Sequence, residues 1–167
     1  MLTILYKIHK VLLLCYEQIY KYTMTWTYQN KIVNELPEDC AGFVYIITNT
    51  NNNKKYIGKK LAKFAKVKYK MHTQKNGKKV KKKIRSKVDS DWQLYYGSSD
   101  ALTKDVEEIG TDNFSREIIY YCKSKSELSY IEAREQFKYK VLESNEWYNG
   151  HIRVRVHGKG ILNSEPL

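Results

Sequence analysis

The apolar positions of this 167-residue chain fall into short β-branched runs separated by polar clusters, with longer stretches of helical spacing between them. Gly42-Phe43-Val44-Tyr45-Ile46-Ile47-Thr48 leads into the asparagine-rich cluster Asn49–Lys55, and Tyr56-Ile57-Gly58 comes next. This spacing predicts strand, turn, strand, a hairpin able to set two phenols side by side. Val67, Tyr69 and Met71 then alternate with Lys66, Lys68 and Lys70, and Asn76-Gly77 separates them from Val80 and Ile84. Alternation around Asn-Gly predicts a second hairpin, a β-ribbon. Ser90-x-x-Gln93 offers a helix start, Gly97 interrupts it, and Ser98 or Ser99 can cap a new segment. Leu102, Val106 and Ile109 recur at helical spacing up to Gly110, a C-terminal stop.

Phe114–Cys122 reads as a strand, and Ser124-x-x-Glu127 as a capping box. The helix it opens should run to about Leu142, with Leu128, Ile131, Phe137 and Val141 toward the core. Tyr148-Asn149-Gly150 is a turn. Ile152, Val154 and Val156 alternate with Arg153, Arg155 and His157, which predicts a last edge strand with a basic outer face. Because hairpins and helices do not alternate as βαβ units, the expected class is α+β. The expected architecture is a small three-stranded antiparallel sheet flanked by helices, with a basic β-hairpin insertion and a C-terminal edge strand.

The chain divides into four units. Residues 1–23 are an N-terminal extension, lying upstream of the natural start if that start is Met24. Residues 24–41 are an extended lead-in closed by the turn Pro37-Glu38-Asp39. Residues 42–150 form the main domain, with an insert at 59–88, and residues 151–167 form the last strand and tail. Within the extension, Val11–Tyr16 is too short to span a bilayer. Ile8, Leu12, Cys15 and Ile19 would line one face of a short amphipathic helix.

Charge sharpens the picture. The chain has 30 Lys+Arg against 18 Asp+Glu, a formal charge of +12. Residues 59–88 hold thirteen lysines and Arg85 and no acidic residue. Such a segment is an electrostatic footprint for nucleic acid. Lys59, Lys60, Lys63, Lys66, Lys68, Lys81 and Lys83 are the candidate phosphate contacts. Cysteines Cys15, Cys40 and Cys122 are far apart and form no CxxC pair, and the four histidines have no ligand spacing. A disulfide scaffold and a zinc site are not expected, and a reducing cytoplasmic setting fits.

Val44-Tyr45, ten residues, then Tyr56-Ile57-Gly58 resembles the signature of the GIY-YIG nucleases, with Phe43-Val44-Tyr45 in place of the first triplet. The order of elements over residues 42 to 150 is similar too: a helix, a third strand, a helix bearing one acidic residue, a late asparagine. Trp26-Thr27-Tyr28-Gln29, Ser90-Asp91-Trp92, Tyr96-Gly97-Ser98-Ser99 and Phe114 with Arg116-Glu117-Ile118 resemble uncharacterised bacteriophage endonucleases of this family.

The resemblance implies a metal-dependent endonuclease acting on double-stranded DNA and leaving a 5′-phosphate and a 3′-hydroxyl. It implies a host-cytoplasm location if the chain is phage-encoded. It places Tyr45 and Tyr56 at the active site, one of them activating or orienting water. Glu132 would hold a single Mg²⁺, with Mn²⁺ as a substitute and Glu135 as the rival ligand. Asn149 would brace the site. The family's arginine lies after the second tyrosine motif, where this chain has lysines; Arg85 is the first arginine available. A non-catalytic DNA-binding domain on the same scaffold is the competing reading.

Overall fold

In the computed structural model, residues 25–75, 77–158 and 161 are described. The expected helix of residues 1–23, Asn76 of the ribbon turn and most of the tail lie outside them. The strands are β1 (Trp26–Tyr28), β2 (Lys31–Val33), β3 (Gly42–Asn49), β4 (Lys55–Leu61), β5 (Lys63–Thr73), β6 (Lys79–Asp89) and β7 (Phe114–Cys122). The helices are α1 (Asp100–Ile109) and α2 (Lys125–Lys138), with single 3₁₀ turns at Trp92–Leu94 and Thr111–Asn113.

The class is α+β, but the main sheet has five strands where three were expected. Their order is β2-β1-β7-β3-β4. The lead-in is not an extended tail. Gln29 and Asn30 adopt positive φ, so the chain reverses and β1 pairs antiparallel with β2. β1 also runs parallel to β7, which makes the sheet mixed. The gain is aromatic packing. Trp26 is buried, meets Phe43 and Tyr45 edge-on at 5.2 and 5.1 Å, and donates its indole N–H to the Trp92 carbonyl. Polar spacing hid these three-residue strands, whose role rests on one tryptophan.

β3 is buried on both faces because the alternation along it feeds two cores. Phe43, Tyr45 and Ile47 join Trp26, Leu102 and Phe114 on the α1 side. Val44 joins Ile57, Cys122, Leu128 and Val141 on the α2 side. Between Val44 and Tyr45 the register against β7 slips by one, since Val44 faces Tyr120 and Tyr45 faces Ile118. Such a bulge re-aims the side chain at its border.

Helix signals were mostly sound. Ser124 caps α2 by accepting from the Glu127 N–H, and the Glu127 carboxylate accepts from the Lys123 N–H. Ser90, by contrast, opens no helix: its hydroxyl donates to the Leu61 carbonyl at the ribbon's foot, and only the 3₁₀ turn comes after it. α2 ends at Lys138, short of Leu142. Lys140 takes positive φ, and the N–H groups of Lys140 and Val141 bond back to Phe137 and Gln136, a Schellman closure that turns Val141 into the core. Phe137, expected inside, is 64% exposed.

The expected final strand is also absent. Residues 151–157 carry no strand pairing, because the open edge of β4 is already occupied. Lys55 receives the Tyr148 N–H and donates to the Glu146 carbonyl, so residues 146–149 cover that edge.

Leu128→Ala should lower unfolding free energy by about 2–5 kcal/mol, the usual cost of emptying a buried leucine site. Phe137→Ala should change it by less than about 0.5 kcal/mol, as exposed positions do. Urea unfolding of the two variants checks the contrast; equal losses would contradict the placement of Phe137.

Candidate active site

The site is built on the β3–β4 hairpin. In its register Tyr45 lies directly opposite Gly58. Residues opposite one another share a face, and so do residues two apart on one strand. Tyr45, Gly58 and Tyr56 therefore all face the α1 side. A Cβ on Gly58 would sit 2.5 Å from the Tyr45 hydroxyl and 2.7 Å from the Tyr56 ring. The missing side chain is the space that the two phenols use. Their ring centroids are 6.1 Å apart, tilted at 44°. Gly97 closes the other side of Tyr56. It has φ of +92°, and a Cβ there would come within 3.2 Å of the same ring.

The two tyrosines differ in fate. Tyr45 is 0% exposed, and its hydroxyl faces Tyr95 without a hydrogen bond of good geometry. Burial, with Tyr56 and Tyr95 alongside, pushes its phenol well above the ordinary value. Tyr56 reaches a cavity of about 490 Å³ and shares a hydrogen bond of 3.2 Å with the Ser98 hydroxyl. Burial raises its phenol too, while Ser98 opposes the shift.

The cavity wraps around the edge of the sheet. Tyr56 enters from the α1 face; Lys59, of opposite parity on β4, enters from the α2 face. Glu132 of α2 lines it as well, and its carboxylate meets the Lys59 ammonium at 2.7 Å. Lys59 also donates to Ser129. Burial pushes the Glu132 carboxyl up, and Lys59 partly offsets this. Glu135, the rival ligand, is buried away from the cavity, bridged to Arg134 and Lys138. At the edge between the two faces stands Asn149. Its amide accepts from the Ile57 N–H at 3.0 Å and donates to the Ile57 carbonyl at 2.8 Å, as a neighbouring strand would. Gln136 donates to the same carbonyl. Asn149 is thus a brace on the middle residue of the Tyr56-Ile57-Gly58 triplet.

The N-terminal end of α1 forms another wall. Ser99, at its cap position, donates to the Tyr148 carbonyl and leaves the first-turn N–H groups without a side-chain cap. Asp100, His151 and Arg153 complete the lining. Sequence reasoning missed these three; the covered β4 edge, which frees residues 150–153 from pairing, is what sends the last two here.

Other expected residues lie elsewhere. Arg85 sits mid-ribbon on β6 opposite Val67 and does not line the cavity. Lys60 is no surface cation: its side chain is 9% exposed, bound to Asp91 at 2.8 Å and stacked 3.5 Å from the Tyr95 ring centroid. Arg116 is buried on β7 and donates to the Gln93 and Tyr95 carbonyls, holding that segment under Tyr56.

Lys63, Lys66, Lys68, Lys81 and Lys83 are exposed on the β5–β6 ribbon, about 37 Å long at about 3.4 Å per residue. The register sorts its charges. Lys79, Lys81, Lys83, Arg85 and Lys87 line one face along β6, beside Val67, Tyr69 and Met71. Lys66, Lys68 and Lys70 line the other face along β5. Cations in each row stand about 7 Å apart.

The donor set suits a hard cation. Glu132 offers a carboxylate on an open cavity, and among the described residues no group of three or more His, Cys, Asp and Glu side chains gathers. Mg²⁺ keeps several waters and needs only one or two carboxylates besides phosphate.

A family profile described as "Putative endonuclease segE, GIY-YIG domain" matches residues 26–152. It takes in β1, both tyrosines, Glu132 and Asn149. No curated protein and no solved structure matches the chain.

Gly58→Ala should cost about 1–3 kcal/mol, because the new methyl cannot fit without moving Tyr45 or Tyr56. Thermal unfolding measures it. A stability within about 0.5 kcal/mol of the parent would contradict the packing described.

Proposed function

Since the chain belongs to the GIY-YIG nuclease superfamily, we propose that it is a metal-dependent DNA endonuclease with Tyr56, Glu132 and Asn149 at its catalytic centre. One observation carries this reading: Tyr56 and Glu132 reach a single cavity from opposite faces of the sheet.

Hydrolysis requires a water oxygen to attack phosphorus as the P–O3′ bond breaks. Tyr56, as its phenolate, takes the water's proton; the departing O3′ takes one from solvent, giving a 5′-phosphate and a 3′-hydroxyl. Tyr45 is too buried to touch water, and its part is to seat Tyr56. A raised phenol is a poor base until cations oppose the burial. Lys59 supplies one such charge, and bound DNA would draw its ammonium from Glu132 toward phosphate. Glu132 would hold Mg²⁺, which supplies charge neutralisation and a more acidic bound water. Asn149 and Gln136 keep the Ile57 peptide, and with it Tyr56 and Lys59, in place.

The substrate path tracks the charge. Lys59 also borders a second depression with Phe64, Lys125 and Ser129, at the foot of the ribbon. A duplex held there by the exposed ribbon lysines would present one phosphate to the cavity. A two-stranded ribbon fits the major groove, and its phosphate contacts give affinity without sequence choice.

The test is conversion of supercoiled plasmid to nicked circles with Mg²⁺, with EDTA, and with Glu132→Ala. Nicking should require Mg²⁺ and fall at least about 100-fold in the variant. DNA binding without cleavage under Mg²⁺ or Mn²⁺ would favour the binding-domain reading instead.

A further inference from the structure

A scissile phosphate gains negative charge on its non-bridging oxygens as water adds, and the surrounding site must oppose that charge. Two permanent cations line the cavity, Lys59 and Arg153. Lys59, held by Glu132 and Ser129 in the free protein, brings only a single point charge when it turns to phosphate. Arg153 is exposed and forms no ion pair among the described residues. Its position is determined from one end. The Tyr148 N–H is bonded to Lys55, and the Asn149 amide is bonded twice to Ile57. Residues 150–153 therefore leave a pinned point at the β4 edge, four residues from the guanidinium. Arg85, by contrast, projects from a two-stranded ribbon whose strands are exposed along nearly their whole length.

We propose that Arg153 supplies the guanidinium that binds the scissile phosphate and stabilises its developing charge. This rests on the endonuclease reading above. This arginine is delivered from the far end of the domain, behind Asn149. The planar fork of arginine can hold two phosphate oxygens at once, which neither Lys59 nor a lysine at position 153 can do. Tyr56, Lys59, Glu132 and Arg153 then surround one phosphate from both faces of the sheet and from its covered edge.

Single-turnover nicking of plasmid in Mg²⁺, with protein in excess, tests this on the full chain. Arg153→Ala should lose about 10²–10³-fold in rate, and Arg153→Lys should recover part of it. Arg155→Ala makes the same charge change outside the cavity and should keep the parental rate. A parental rate in Arg153→Ala, or an equal loss in Arg85→Ala and Arg155→Ala, overturns the assignment while leaving the endonuclease reading intact. If the parent does not nick, the endonuclease reading fails. Inorganic phosphate then decides the site by itself, through its shift of the His151 ring signals in NMR. Arg153→Ala should weaken that titration at least tenfold; an unchanged titration overturns the proposal.

Discussion

One vacancy organises this protein: the side chain that Gly58 does not have. Tyr45 lies across that gap, and Tyr56 stands against it. A methyl group would come within 2.5 Å of the Tyr45 hydroxyl, so the glycine is demanded by packing and not by a turn. The consequence is a division of labour. Trp26, Phe43 and Tyr95 close around the ring of Tyr45 and take it out of water. Tyr56, on the outermost strand of the sheet, keeps its hydroxyl at the cavity. Two residues that look alike in the sequence become a buried wedge and a cavity-lining phenol.

The second constraint is the edge of β4. An unpaired strand edge exposes backbone groups that need partners. Here Glu146, Tyr148 and Asn149 provide them, with Gln136 adding a fifth hydrogen bond. Covering the edge also joins the two faces of the sheet into one site. Tyr56 comes from one face and Lys59 from the other because strand side chains alternate, and α2 adds Glu132 to the second face. A single peptide, that of Ile57, is the pivot, and an asparagine holds it in the manner of a missing strand. The same bonds explain why residues 151–157 never become a strand and why Arg153 ends in the cavity.

Much of this was legible in the residues. The β3–β4 and β5–β6 hairpins, β7 and both helices emerge from alternation, Asn-Gly and the capping box. Glu132 could be preferred to Glu135 from its place beside Leu128 and Ile131, and the structure puts it in the cavity. What escaped detection depended on distant contacts. β1 and β2 are three residues each, too short for periodicity, and exist because Trp26 has a pocket between Phe43 and Tyr45. Phe137 has helical spacing toward the core, but the Schellman turn at Lys140 hands its place to Val141. Lys60 belongs to a basic run in the sequence, yet strand parity turns it inward to Asp91 and Tyr95. The edge strand at 152–156 had the right alternation and no free partner to pair with.

Gly58 thus separates the tyrosines into a buried wedge and a phenol that lines the cavity. Single-turnover DNA cleavage by Tyr45→Phe and by Tyr56→Phe reads this division. The Tyr45 hydroxyl has no well-formed hydrogen bond to lose, so Tyr45→Phe should cleave within about threefold of the parent, a barrier change below about 1 kcal/mol. Tyr56→Phe should fall by about 10²–10⁴-fold, as expected for loss of a proton-transfer group. Equal losses in the two variants, or the larger loss in Tyr45→Phe, would contradict the account.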